Sequence, residues 1–173
     1  MNKSEIGLEE YNGYYQPYID KAGTGNVFDD LRSNHETIIL FLKSIPVEKL
    51  HYRYAKGKWT IKEILLHLID TERVFAYRAM CIARSDKTEL PGFDQDDFVA
   101  HSNADKRSME SLLSEYQSVR KATISLFESF TQKSLARIGT VSHSRLSVRA
   151  IPFIILGHEN HHLQMIKDHI YDL

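Results

Sequence analysis

The sequence has a single cysteine, Cys81, so it holds no intrachain disulfide. It has no apolar run near the ~20 residues that a membrane-spanning helix needs, so no membrane partner is expected. Neither sign of charge is in excess: 22 Lys and Arg against 23 Asp and Glu leave a formal charge of −1. A polyanion binder normally carries a clear basic surplus, so nucleic acid is disfavoured as a partner. A Gly-x-Ser-x-Gly elbow and a phosphate-cradling glycine loop are both missing. Cys81 lies between Met80 and Ile82 in a helical apolar context and reads as a packing residue rather than a nucleophile. Met1–Glu10 shows no charged-then-apolar leader, and the expected location is the cytoplasm.

What remains is an ordinary globular balance, 42% hydrophobic and 26% charged over 173 residues. Area scaling gives about 29,000 Å² for the unfolded chain and about 9,000 Å² for the folded one, so roughly 70% of the surface is buried on folding. The one surplus is histidine. Of nine, four (His158, His161, His162, His169) fall near the C-terminus.

Apolar spacing predicts four long helices. The first runs from Val27 to Ile45 and stops at Pro46. The second starts at Thr60-Ile-Lys-Glu63, where the Thr hydroxyl and the Glu carboxylate can cap the first turn reciprocally, and reaches about Arg84. The third spans about Lys106 to Phe130 with a cap near Asp105, and the fourth about Ser147 to Ile170. Pro152 conflicts with a start at Ser147, so that helix either begins later or is kinked in its first turn. Residues 85–105 form a long acidic connection suited to a crossover or an active-site rim, and residues 131–146 contain short β-prone pieces. Residues 1–25, rich in Tyr and closed by Gly23 and Gly25, read as an ordered tail packed on the bundle. The expected fold is all-α, one four-helix-bundle domain over residues 1–173 with long connections.

Gly157-His158-Glu159-Asn160-His161-His162-Leu163-Gln164 is the densest run of metal-competent side chains. On a helix, His158 and His162 share a face at i, i+4, whereas neighbours His161 and His162 diverge by about 100°. Two imidazoles make a weak chelate, and a catalytic site usually has a third protein ligand. His67 is the candidate, because a histidine between Leu66 and Leu68 must find a partner for its ring nitrogens. Plainer readings stay open: His67 as a satisfied core histidine, and His158 with His162 as helix-end histidines suited to the negative pole. His35, His51, His101, His143 and His169 read as surface residues. Among carboxylates, Glu63, one turn before His67, is a candidate to orient its ring, with Glu159 and Asp70 also near. Asp94 and Asp97 are candidates for a cavity mouth. Each also reads plainly as a capping or solvated residue.

Three segments together resemble the DinB superfamily, in its branch of YfiT-like metal-dependent hydrolases and bacillithiol transferases. They are Lys58-Trp59-Thr60-Ile-Lys-Glu63-Ile-Leu-Leu-His67-Leu-Ile-Asp-Thr-Glu-Arg73, Pro91-Gly92-Phe93-Asp94-Gln95-Asp96-Asp97-Phe98, and Leu146-Ser147-Val148 followed by Gly157-His158-Glu-Asn-His161-His162-Leu-Gln164. The resemblance covers about residues 27–170. It implies a DinB-like four-helix bundle, often a homodimer, in which His67, His158 and His162 bind a divalent metal, usually nickel or zinc. His161 matches a repeated family histidine that is not normally a ligand.

The function expected is that of a metal-dependent enzyme acting on a small molecule. Three neutral ligands leave the cation its full charge, which activates either water, for a hydrolase, or a low-molecular-weight thiol, for an S-transferase. The alternative is a non-catalytic metal- or ligand-binding stress-response bundle.

Overall fold

A computed structural model describes residues 1–171. Four long helices, α2 (Val27–Ser44), α3 (Ile61–Ala83), α5 (Met109–Glu128) and α7 (Ile151–Ile166), form a four-helix bundle. Three short ones, α1 (Gln16–Lys21), α4 (Gln95–His101) and α6 (Gln132–Leu135), lie in the connections. Strands β1 (Ile138–Val141) and β2 (Ser144–Ser147) pair antiparallel with Ile138 opposite Ser147. Ser142 and His143 turn the hairpin, both at positive φ (47° and 60°), as a two-residue turn of the primed kind requires. Among the described residues, no helix is long and apolar enough to cross a membrane.

Helix starts follow local chemistry. At α3 the Thr60 hydroxyl accepts the Glu63 N–H at 3.1 Å and the Glu63 carboxylate accepts the Thr60 N–H at 2.8 Å, the reciprocal cap expected. Helix α5 starts later than Lys106: Ser108 caps it by accepting the Ser111 N–H at 3.1 Å. Asp105 instead accepts the Thr60 hydroxyl at 2.7 Å, which ties two connections together. Helix α7 also begins late, at Ile151, which puts Pro152 in the first turn, where a missing N–H breaks no helical bond. Ser147 stays at the end of β2, its hydroxyl accepting the Ala150 N–H at 3.1 Å.

The interior is two apolar clusters. One gathers Leu31, Phe75, Ala79, Phe127 and Ile151–Leu156 with the hairpin; the other gathers Ile38, Leu65, Ile69, Leu112, Tyr116 and Ile166. On each long helix a polar residue falls between them: His35, Glu72, Arg120 and Glu159. Arg120, 1% exposed, donates to Glu72 at 2.9 Å, to Glu159 at 2.8 Å and to the Leu31 carbonyl at 3.0 Å. Tyr116 donates to Glu159, and so does Asn34 at 2.7 Å. Burial alone would lower the Arg120 pKa, but the Glu159 and Glu72 carboxylates outweigh it and hold it well above the usual value.

His35 overturns the surface reading. It is 8% exposed, its ring 4.7 Å from that of Tyr116, and neither ring nitrogen has a partner. Burial, with the Arg120 charge second, lowers its pKa to about 4. His51, His101, His143 and His169 are exposed as expected.

Arg120→Met should cost about 3–5 kcal/mol, because two buried carboxylates lose their cation, and adding Glu72→Gln and Glu159→Gln should recover part of it in thermal unfolding. His35→Phe should raise the melting temperature by removing an unsatisfied buried group. The unfolded state protonates His35 near its ordinary pKa, the folded state only near 4, so native stability falls as pH drops through that window. His35→Phe should show a shallower loss between pH 6.5 and 4 in acid denaturation.

Candidate metal centre

Helix α7 is buried without interruption from Ile151 to Glu159, since it packs on α1, α2 and α3. Gly157 makes this possible: a Cβ there would lie 1.6 Å from the Tyr18 carbonyl oxygen, so only glycine lets the α1 backbone come this close. The close approach sets the Tyr18 ring 5.3 Å from His158, edge to face.

His67 from the middle of α3 meets His158 and His162 from α7. His158 Nε2 lies 3.1 Å from His67 Nε2 and 3.1 Å from His162 Nε2. One ligand atom from each of the three lies within 4.8 Å of the others, a grouping that could hold a metal ion. The rings stand 69–83° apart, with centroids 4.6–5.0 Å from one another. Burial lowers the His67 pKa to about 4, and burial with the neighbouring imidazoles lowers that of His162 to about 3 and that of His158 well below normal. At neutral pH all three rings are therefore neutral and offer lone pairs.

Surrounding groups hold the rings in place. Thr71 Oγ1 lies 3.4 Å from His67 Nδ1, one turn along α3. Trp59, just before the α3 cap, packs its ring 4.7 Å from His67 and stacks 6.3 Å from His162. A cavity of about 390 Å³ reaches His67 and His158 and is walled by Tyr14, Tyr15, Tyr18, Phe75 and Phe93, with Thr71, Arg78, Asp94 and Asp96 also facing it.

The carboxylates lie elsewhere. Glu63 is engaged by the Thr60 N–H and by Arg53 at 2.9 Å, and the group at the free nitrogen of His67 is Thr71. Glu159, though next to His158, turns into the Arg120 network. Asp70 pairs with Arg73 at 3.5 Å. Asp94 does line the cavity, where it caps α4 by accepting the Asp96 and Asp97 N–H groups at 2.9 and 3.1 Å. Asp97 is exposed and does not line it. His161 stays outside the trio, exposed, with its ring 5.7 Å from Tyr18. Nothing local in the sequence marks Tyr18, whereas Thr71 and Arg78, at i+4 and i+11 from His67, share its face of α3, and that spacing is the signal by which they are found.

A family model described as the DinB superfamily matches residues 30–166. The chain belongs to the DinB superfamily. Among solved structures it is similar to YfiT from Bacillus subtilis, described as a probable metal-dependent hydrolase with an unusual four-helix bundle topology. The TM-score is 0.69 at 14% identity, covering 94% of this chain and 90% of that one. It is also similar to YjoA, a DinB-like protein from Bacillus subtilis, with a TM-score of 0.60 at 14% identity over 86% of this chain and 91% of that one. At such identities the likeness shows the shared fold. No curated protein sequence matches the chain.

Gly157→Ala should destabilise by about 1–3 kcal/mol, because the forced displacement of α1 outweighs the roughly 1 kcal/mol gained in helix propensity. Thermal unfolding and faster proteolysis within residues 1–25 check this.

Proposed function

We propose that this DinB-superfamily protein is a metal-dependent hydrolase whose divalent cation is held by His67, His158 and His162. The observation that carries this is the convergence of three Nε2 atoms on one point. A hydrogen bond between imidazoles needs a proton on one nitrogen and a lone pair on the other. His158 Nε2 faces two imidazoles but has either one proton or one lone pair, so no proton arrangement gives both contacts a complete bond. Three neutral imidazoles facing one point suit a cation, and nitrogen donors without a carboxylate suit nickel or zinc.

When bound, such a cation polarises a substrate oxygen and lowers the pKa of water enough to supply a nucleophile at neutral pH. The chain's own residues orient and exclude. Thr71 holds the His67 ring by its Nδ1, so that Nε2 points at the convergence. Trp59 covers the His67 and His162 rings and keeps water from that side. Tyr18, its pKa pushed up to about 12 by burial, keeps its proton at neutral pH and stays a hydrogen-bond donor at the cavity wall.

Tag-free protein should bind about one equivalent of nickel or zinc. His67→Ala, His158→Ala and His162→Ala should each reduce this sharply by elemental analysis. Nickel should also quench the fluorescence of Trp59, the only tryptophan, in the wild type and not in the variants. Loaded protein should hydrolyse members of an ester and amide panel. Failure to bind metal sinks the assignment, and turnover only with an added low-molecular-weight thiol moves it to thiol transfer.

A further inference from the structure

Arg78 stands on α3 eleven residues beyond His67, three helical turns on and within about 20° of the same face, with about 16 Å between the two Cα atoms. It is 3% exposed, and it faces the same cavity as His67 and His158. Its guanidinium folds back over the Phe75 ring, 5.2 Å from its centre, with Phe93 5.8 Å away. One N–H donates to the Pro91 carbonyl at 2.9 Å.

What Arg78 lacks is a counter-charge. Among the described residues no carboxylate lies within ion-pair distance of it. The other buried guanidinium, that of Arg120, is held by Glu72 and Glu159, and Arg149 pairs with Glu10 at 2.5 Å. A buried cation without a partner is costly, and Arg120, the other arginine as deeply buried among the described residues, comes with two carboxylates. Burial lowers the Arg78 pKa, opposed by neighbouring Tyr15, but an arginine stays protonated across any physiological range.

We propose that Arg78 is the anion-binding residue of this cavity and pairs with a carboxylate at one end of an organic substrate whose reacting end lies at the three imidazoles. The placement of the reacting end rests on the hydrolase reading above; the Arg78 contact does not. The planar fork of a guanidinium matches a carboxylate in bidentate geometry. The Asp94 and Asp96 carboxylates on the same cavity disfavour a doubly charged group, and the Tyr15, Tyr18 and Phe75 rings suit an apolar or aromatic middle.

The test is calorimetric titration of phenylacetate, its neutral isostere phenylacetamide and the dianion benzylphosphonate, into chelator-treated and zinc-loaded protein. Wild type should prefer phenylacetate over phenylacetamide by about tenfold or more in both states, the worth of a charge-assisted hydrogen bond, and bind benzylphosphonate more weakly than phenylacetate. Arg78→Met should lose that preference while keeping phenylacetamide affinity and the zinc content of the wild type. Should Arg78→Met fail to fold, Arg78→Lys carries the comparison, with the preference cut severalfold. Four outcomes overturn the proposal: no phenylacetate binding by wild type, an unchanged preference in the Arg78 variants, a preference only when zinc is loaded, or tighter binding of benzylphosphonate than of phenylacetate. A preference that persists in a protein unable to bind zinc leaves Arg78 assigned and removes the metal reading alone.

Discussion

Arg120 binding both Glu72 and Glu159 is the contact on which the rest of the bundle depends. It joins α3, α5 and α7 through side chains, and reaches α2 through the Leu31 carbonyl and through Asn34 on Glu159. Two carboxylates and one guanidinium cannot leave water cheaply unless each is fully bonded, so their helices have little freedom to slide or rotate. Glu159 directly follows His158, and Glu72 directly follows Thr71, the residue beside His67 Nδ1. The ion network therefore sets, one residue away, how the imidazoles of α3 and α7 face each other. Apolar packing alone tolerates shifts that would ruin the two 3.1 Å contacts by which His67 and His162 face His158 Nε2.

Much of the bundle is legible in the sequence, where local chemistry decides. The Thr60 to Glu63 capping box fixes the start of α3, and Pro152 dates the start of α7 because a proline is free of cost only in a first turn. The start of α5 is less legible, since Asp105 and Ser108 are equally good caps by residue type. The choice falls to Ser108 because Asp105 is claimed by Thr60 from another connection. The same limit hides His35. Spacing on α2 does not say that the ring will be stacked on Tyr116 and sealed from partners by a neighbouring helix.

At the site, the i, i+4 spacing of His158 and His162 and the isolation of His67 among leucines select the three rings that the fold brings together. Sequence proximity misleads for carboxylates. Glu63 and Glu159 lie near the histidines along the chain, yet backbone donors and arginines hold them more strongly than an imidazole N–H would. Tyr18 has no signal of its own. Its place beside His158 comes from the missing side chain of Gly157, 139 residues on, and such a pairing exists only in three dimensions.

Helix α3 carries a mixture that packing alone would not select: His67, Thr71, Glu72 and Arg78 are all buried among leucines and isoleucines. Glu72 is neutralised within the bundle and contributes to rigidity. His67 and Arg78 are satisfied only in part by the protein, one by Thr71 and the His158 imidazole, the other by the Pro91 carbonyl, the Tyr15 hydroxyl and two aromatic faces, with no carboxylate. Both border one cavity, whereas Glu72 does not. The buried His67, Glu72 and Arg78 of α3 thus divide by whether the protein completes their bonding. The one it completes lies between the helices, and the two it leaves incomplete line the space a ligand would enter. Such incompleteness lowers stability unless something outside the chain offsets it, and that cost is the physical reason to place a binding function at this cavity.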